Sequence, residues 1–192
     1  METYPNFSSY LDIIIEISKS IDGKKLATLY DRIDNSFNEK SRIFIAGNGG
    51  SAAVASHAVT DLNNLNKNNK ILNAISLSTN IPQLLANSND YGYENIFVNQ
   101  IKNYKPNEND TLVAISSSGN SQNILKLIEY CKKMNTPTFA LLGFSGGEAL
   151  NKSDYSLVVK SPKNYYGPVE DTHMMIFHLY AHLIKGDMQE LN

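Results

Sequence analysis

Short continuous apolar runs alternate with stretches of helical periodicity along most of this chain. Between residues 10 and 38 the apolar side chains recur at helical spacing. Leu11, Ile14, Ile15, Ile17 and Ile21 precede an Asp22-Gly23 break, and Leu26, Leu29, Tyr30, Ile33 and Phe37 follow it. This predicts two helices joined by a short turn, with no strand before them. The pattern then changes. Residues 42–46 read Arg-Ile-Phe-Ile-Ala, a short buried-strand run, and Gly47-Asn48-Gly49-Gly50-Ser51 follows at once. Good helix formers fill 52–65. The same strand, loop, helix logic recurs. Strands are predicted at 71–77, 111–115, 138–142 and 155–159. Helices are predicted at 82–87, 123–134 and 169–184.

Apolar strands that alternate with helices imply a parallel sheet covered on both faces. The expected fold is therefore α/β, a single domain over 1–192 with an added N-terminal helical segment. In open sheets of this kind ligands bind beyond the carboxyl ends of the strands, near a topological switch point. The two most polar loops, at 47–51 and 116–121, lie just past strand ends. The Asn- and Lys-rich stretch at 63–70 reads as a solvated surface connection.

Composition narrows the function without choosing it. The 192 residues are 42% hydrophobic and 19% charged, which is globular rather than disordered. A formal charge of −2 leaves no cationic excess to hold a nucleic-acid backbone. Cys131 is the one cysteine, so no internal disulfide forms, and its helical setting predicts a packed thiol. The N-terminus lacks the basic start and apolar run of a secretory signal, and no apolar run is long enough to cross a bilayer. A cytoplasmic protein is expected.

Both loops suit an anion. Gly47–Ser51 opens a helix directly after a strand, where backbone can approach a ligand and unpaired N–H groups carry partial positive charge. It lacks the Gly-x-Gly-x-x-Gly spacing of dinucleotide folds. Ser116-Ser117-Ser118-Gly119-Asn120-Ser121 offers four hydroxyls and several N–H groups at the equivalent place. Neither loop ends in Gly-Lys-Ser/Thr, which argues against nucleotide triphosphate hydrolysis. Together the loops point to a phosphorylated ligand.

Titratable groups gather in two other segments. His57 and Asp61 stand four residues apart on the helix after the glycine loop, and so share a face. Glu170-Asp171-Thr172-His173 and His178 occupy the last helix. Two imidazoles and two carboxylates make a credible zinc set. Glu170 and His178 are, however, eight residues apart, a rise of about 12 Å on a straight helix.

These residues resemble a known family. Ala46 to Ala53 with His57, then Asn89-Asp90-Tyr91-Gly92-Tyr93, the serine loop, and Glu170-Asp171-Thr172-His173 with His178 are similar to the sedoheptulose-7-phosphate (phosphoheptose) isomerases of the sugar isomerase (SIS) domain superfamily. The resemblance covers almost the whole chain. It implies a flavodoxin-like, five-stranded parallel sheet, with residues 1–40 as a helical extension used in oligomerisation. It implies a homotetramer with active sites between subunits. The activity it implies is conversion of sedoheptulose 7-phosphate to D-glycero-D-manno-heptose 7-phosphate, the first step toward activated heptose for lipopolysaccharide or capsule. Zinc, one per subunit, would be held by His57, Asp61, Glu170 and His178. Substrate contacts would fall to Asn48, Gly49, Gly50, Ser51, Asp61, Asn89, Asp90, Ser116, Ser117, Ser118, Ser121 and Glu170. Asp61 and His178 would be the acid/base pair of an enediol proton transfer. The family more often carries Glu at the Asp61 position and Gln at the Glu170 position, and Leu65 stands where a basic residue is frequent. Three competing readings are a regulatory SIS protein that binds a replication initiator, a sugar-phosphate sensor, and an isomerase for a hexulose or pentulose phosphate. Asp61 and His178 together favour an enzyme over the regulatory protein.

Overall fold

The computed structural model describes residues 6–38 and 40–186. Residues 1–5, 39 and 187–192, which the expected 1–192 domain and 1–40 extension include, lie outside the described residues. Helix α1 (Phe7–Ser18) starts where the Asn6 side chain accepts from the Ser9 N–H, and α2 (Gly23–Asp34) starts where Asp22 accepts from Lys24 and Lys25. The Asp22-Gly23 break is therefore an N-cap. Strand β1 (Ile43–Ala46) leads into α3 (Gly50–Asn63). A small hairpin, β2 (Asn66–Lys67) and β3 (Lys70–Ile71), precedes β4 (Ala74–Ser76). Next come α4 (Ile81–Tyr91), a 3-10 turn (Tyr93–Asn95), α5 (Ile96–Ile101) and β5 (Thr111–Ser116). The chain continues through α6 (Gln122–Lys133), β6 (Thr138–Gly143), α7 (Ala149–Lys152), β7 (Tyr155–Val159) and α8 (Tyr166–Lys185).

Five strands form one sheet in the order β4-β1-β5-β6-β7, every pair parallel. Counted within that sheet the order is 2-1-3-4-5, the flavodoxin-like arrangement the resemblance implies. The central strands are buried on both faces, and alternate residues serve two separate cores. Ile43, Ile45, Val113, Ile115, Phe139 and Leu141 face a core shared with α2, α3 and α8. Phe44, Ala46, Leu112, Ala114, Ala140 and Leu142 face a core shared with α5, α6 and α7. Strand period two divides the apolar residues this way.

Two sequence expectations need correction. The run 71–77 is not one strand: only Ala74–Ser76 joins the sheet. Ile71 pairs in the hairpin instead and is 67% exposed. The 63–70 connection holds that hairpin rather than an irregular loop, because Asn68 and Asn69 both adopt positive φ and turn the chain back. Cys131 is buried, and burial pushes its thiol up to about 12, consistent with a packing role.

His173 belongs to the core and not to a site. It is fully buried, and its Nε2 donates to the Leu142 carbonyl at 3.0 Å, while Nδ1 has no partner among the described residues. Burial lowers its pKa to about 4. The unfolded chain takes up this proton near 6.5 and the folded chain only near 4, so stability falls as pH drops through that window. From pH 7 to pH 4.5 the single group is expected to remove about 2–3 kcal/mol. Urea unfolding at both pH values checks this. His173→Gln, which can still donate to Leu142 but does not titrate, should flatten the slope by that amount.

Candidate functional site

The two polar loops meet because their strands are neighbours. Ala46 pairs with Ala114 in register, so the carboxyl ends of β1 and β5 lie side by side. From β1 the chain crosses to β4 on one side, and later returns to β5 on the other. The loops thus flank the switch point. A cavity of about 150 Å³ lies there, lined by Asn48, Ser51, Ile115, Ser116, Ser117, Ser118, Ser121, Tyr166 and Glu170. A larger cleft of about 740 Å³ lies between the α1–α2 turn and the Phe144–Ser145 segment, lined by Asp22, Lys25 and Lys160 among others, and none of His57, Asp61 and His178 lines it.

The hydroxyls of the serine loop divide their work. Ser116 Oγ accepts from the Gly119 N–H and Ser118 Oγ from the Asn120 N–H, which shapes the loop. Ser121 sits at the N-cap of α6 but makes no capping bond with its side chain. Ser117 Oγ is buried with no hydrogen-bond partner among the described residues. An orphaned buried hydroxyl is uncommon and costly, and this one borders a cavity. Among the described residues no Lys or Arg lines that cavity, so an anion there would rest on hydroxyls, amide N–H groups and the starts of α3 and α6.

Glu170 belongs to the same cavity. A Cβ on Gly50 would sit 2.0 Å from Glu170 Oε2, so only glycine lets the carboxylate come this close to the start of α3. Burial and then Asp171 raise the Glu170 pKa. Asp171 itself accepts from Tyr10 Oη at 2.5 Å, which fastens α1 to α8.

Farther along α3 and α8, His57, Asp61 and His178 converge. His57 Nε2 lies 3.1 Å from His178 Nε2, and Asp61 Oδ2 lies 3.3 Å from His57 Nε2 and 3.7 Å from His178 Nε2. Donor atoms of a tetrahedral metal at about 2.0–2.1 Å are separated by about 3.3–3.4 Å. The three groups therefore suit a divalent ion in both chemistry and spacing. They form a candidate His-Asp-His metal site that remains partly open to solvent. Glu170 is not in this group. α8 is regular between the two positions, and eight residues separate them by about 12 Å along its axis.

The remaining expected residues are placed as follows. Gly49 and Gly50 form the turn into α3. Asn89 and Asp90 are exposed at the end of α4, where Asn89 Nδ2 donates to Asp90 Oδ1, and neither lines the cavity. The sequence reading missed Tyr166, which lines the cavity, and Asn123 and Tyr93, which both bond Asn48. Asn123 gave no signal beyond an ordinary first-turn helix residue. Tyr93 lay in the Asn-Asp-Tyr-Gly-Tyr motif but was assigned no role.

Comparison with known proteins places this arrangement. The SIS domain family matches residues 7–143. The chain is 36% identical over 179 residues to the phosphoheptose isomerase of Helicobacter pylori, covering 92% of each. It is 34% identical over 160 residues to that of Thermodesulfovibrio yellowstonii, covering 83% of this chain and 78% of the relative. The solved phosphoheptose isomerase GmhA from Neisseria gonorrhoeae superposes with a TM-score of 0.83 at 25% identity, over 93% of this chain and 96% of that one.

Proposed function

We infer a specific reaction from the premise that this chain belongs to the SIS domain family and, within it, to the phosphoheptose isomerases. It is an isomerase acting on a sugar phosphate. The substrate in our reading is sedoheptulose 7-phosphate and the product D-glycero-D-manno-heptose 7-phosphate, made for lipopolysaccharide or capsule heptose in the cytoplasm. The observation that carries this reading is one of spacing. A small hydroxyl-lined cavity takes Ser51 from α3 and Tyr166 and Glu170 from α8, and the same two helices carry the His57–Asp61–His178 cluster. Gly50 and His57 are seven residues apart, a rise of about 10 Å. An extended seven-carbon chain with its terminal phosphate spans about the same distance. A pentulose phosphate is shorter by two carbons and spans less.

In this reading the Ser116–Ser121 loop anchors the phosphate through Ser116, Ser117, Ser118 and Ser121, with Ser51 and the Gly49–Gly50 amides facing it. Remote binding of this kind orients the reacting carbons. Asp61 takes a proton from C1 of the ketose. The enediolate spreads over C1 and C2, and Asp61 returns the proton to C2. His178 moves the hydroxyl proton from O1 to O2. His57, Asp61 and His178 would hold zinc, while Glu170, about two helical turns earlier at the serine-loop cavity, would face the substrate rather than complete the metal site. Zinc bound there would polarise the carbonyl and stabilise the enediolate oxygens.

A cavity of about 150 Å³ takes a phosphate but not a whole heptose. Walls from neighbouring subunits, as in a homotetramer with shared sites, would complete it. Asn89 and Asp90 are exposed and free to contact substrate in such an assembly. Phe7, Leu11 and Ile15 form an exposed apolar stripe on α1 that supports the oligomerisation role of residues 1–40.

The test is to incubate metal-analysed protein with sedoheptulose 7-phosphate and couple the product to a heptose 7-phosphate kinase. Turnover is expected, lost on chelation and restored by zinc. No turnover with or without zinc would remove this substrate, and a panel of ketose phosphates would follow.

A further inference from the structure

Asn123 is the second residue of α6 and only 1% exposed. A buried amide must spend its donors and acceptors on partners. Asn123 Oδ1 accepts from the Ile124 N–H and from Asn48 Nδ2, both at 2.9 Å, and its Nδ2 donates back to Asn48 Oδ1 at 2.9 Å. This reciprocal amide pair ties α6 to the glycine loop.

Tyr93 adds a third bond. Its hydroxyl donates to the same Asn48 Oδ1 at 2.9 Å. The turn that carries Tyr93 is itself fastened to α6, because Lys126 Nζ donates to Asn95 Oδ1 at 3.1 Å and pairs with Glu94 at 3.5 Å. Asn48 Oδ1 thus holds two donors, which fills its two lone pairs. One Nδ2 proton goes to Asn123. One N–H remains, on a side chain that lines the cavity.

An unrestrained asparagine can turn either its oxygen or its nitrogen toward a ligand, and an anionic ligand would select the nitrogen. Here that choice is made before binding, since rotating Asn48 breaks its bonds to Asn123 and Tyr93 together. We propose that Asn123 and Tyr93 are positioning residues that hold Asn48 as a one-way hydrogen-bond donor toward the sugar phosphate. The proposal rests on the reading of that cavity as the sugar-phosphate site.

Tyr93→Phe is the cleanest test, because it keeps an exposed ring and removes only the hydroxyl. It should raise KM for sedoheptulose 7-phosphate about three- to tenfold, the range for one lost hydrogen bond, with kcat within about twofold. Its melting temperature should match the wild type. Asn123→Ala should raise KM by at least as much. The double variant Tyr93→Phe/Asn48→Ala should be no weaker than Asn48→Ala alone, since Tyr93 acts through Asn48. Wild-type KM in Tyr93→Phe, or multiplied losses in the double variant, would overturn the proposal even while the isomerase reading stands. Calorimetric binding of the same ketose phosphate separates the two ideas. Binding without turnover removes the isomerase reading but leaves the same expected ratios in Kd. A wild type that binds no ketose phosphate overturns both.

Discussion

Replacing His178 by alanine is expected to lower kcat for the ketose phosphate by about 10²–10⁴-fold, the usual range for a positioned acid/base group. The side chain is 43% exposed, and among the described residues its Nε2 meets only His57 and Asp61. Truncation therefore opens no core cavity and strands no buried polar atom, so the melting temperature should barely move. Asp61→Asn makes the same point with a nearly isosteric change. The amide cannot take a proton from carbon, and kcat should fall by a similar factor. The coupled assay measures kcat, thermal unfolding checks the fold, and metal analysis reports whether each variant still loads zinc. Near-normal rates in both variants would remove the cluster from the chemistry, whatever their metal content.

The second large effect concerns stability. Gly119 has φ +65, and a Cβ there would lie 1.9 Å from the Gly146 carbonyl oxygen. That oxygen is backbone and has little room to move. The segment after β6 is pinned to the serine loop on both sides of the contact, since the Gly143 N–H donates to Ser117 O and the Ala149 N–H to Gly119 O. Gly119→Ala must therefore bear left-handed strain and also separate the two loops. A loss of about 3 kcal/mol is expected, a fall in Tm of about 6–12 °C for a chain of this size. KM should rise as well, because this contact holds the serine loop, whose hydroxyls are the proposed phosphate anchors. Gly23→Ala is the control: a Cβ there meets nothing within 4 Å, and the melting temperature should hold or rise. Equal behaviour of the two variants in calorimetry would show that the loop contact carries no stability.

Sequence and tertiary structure contributed different parts of this picture. Periodicity alone determined the class of fold. Runs such as Ile43–Ala46 are apolar on both faces because they lie between two cores, and the helices that cover them keep a single apolar face. It also determined that His57 and Asp61 share a face, since four residues on a helix allow little else. The resemblance to the isomerases supplied the strand order and the residue roles.

The loop chemistry was half legible. Serine content pointed to an anion, but only the folded loop spends Ser116 and Ser118 on its own backbone and leaves Ser117 without a partner. The stretch 71–77 misled because an apolar run carries no sign of where pairing stops; positive φ at Asn68 and Asn69 turned Ile71 into a hairpin. Pattern alone could not say which titratable groups would meet across long separations in the chain. His178 reaches His57 and Asp61 because α8 packs along α3, and Glu170, about two turns earlier, lines the serine-loop cavity instead. Asn123 and Tyr93 reach Asn48 because α6 and the turn after α4 pack beside the β1 loop. The sequence by itself determined the periods and the local chemistry of this chain. The tertiary structure decided which distant side chains share a bond, because packing of separate elements, not spacing within one, sets those distances.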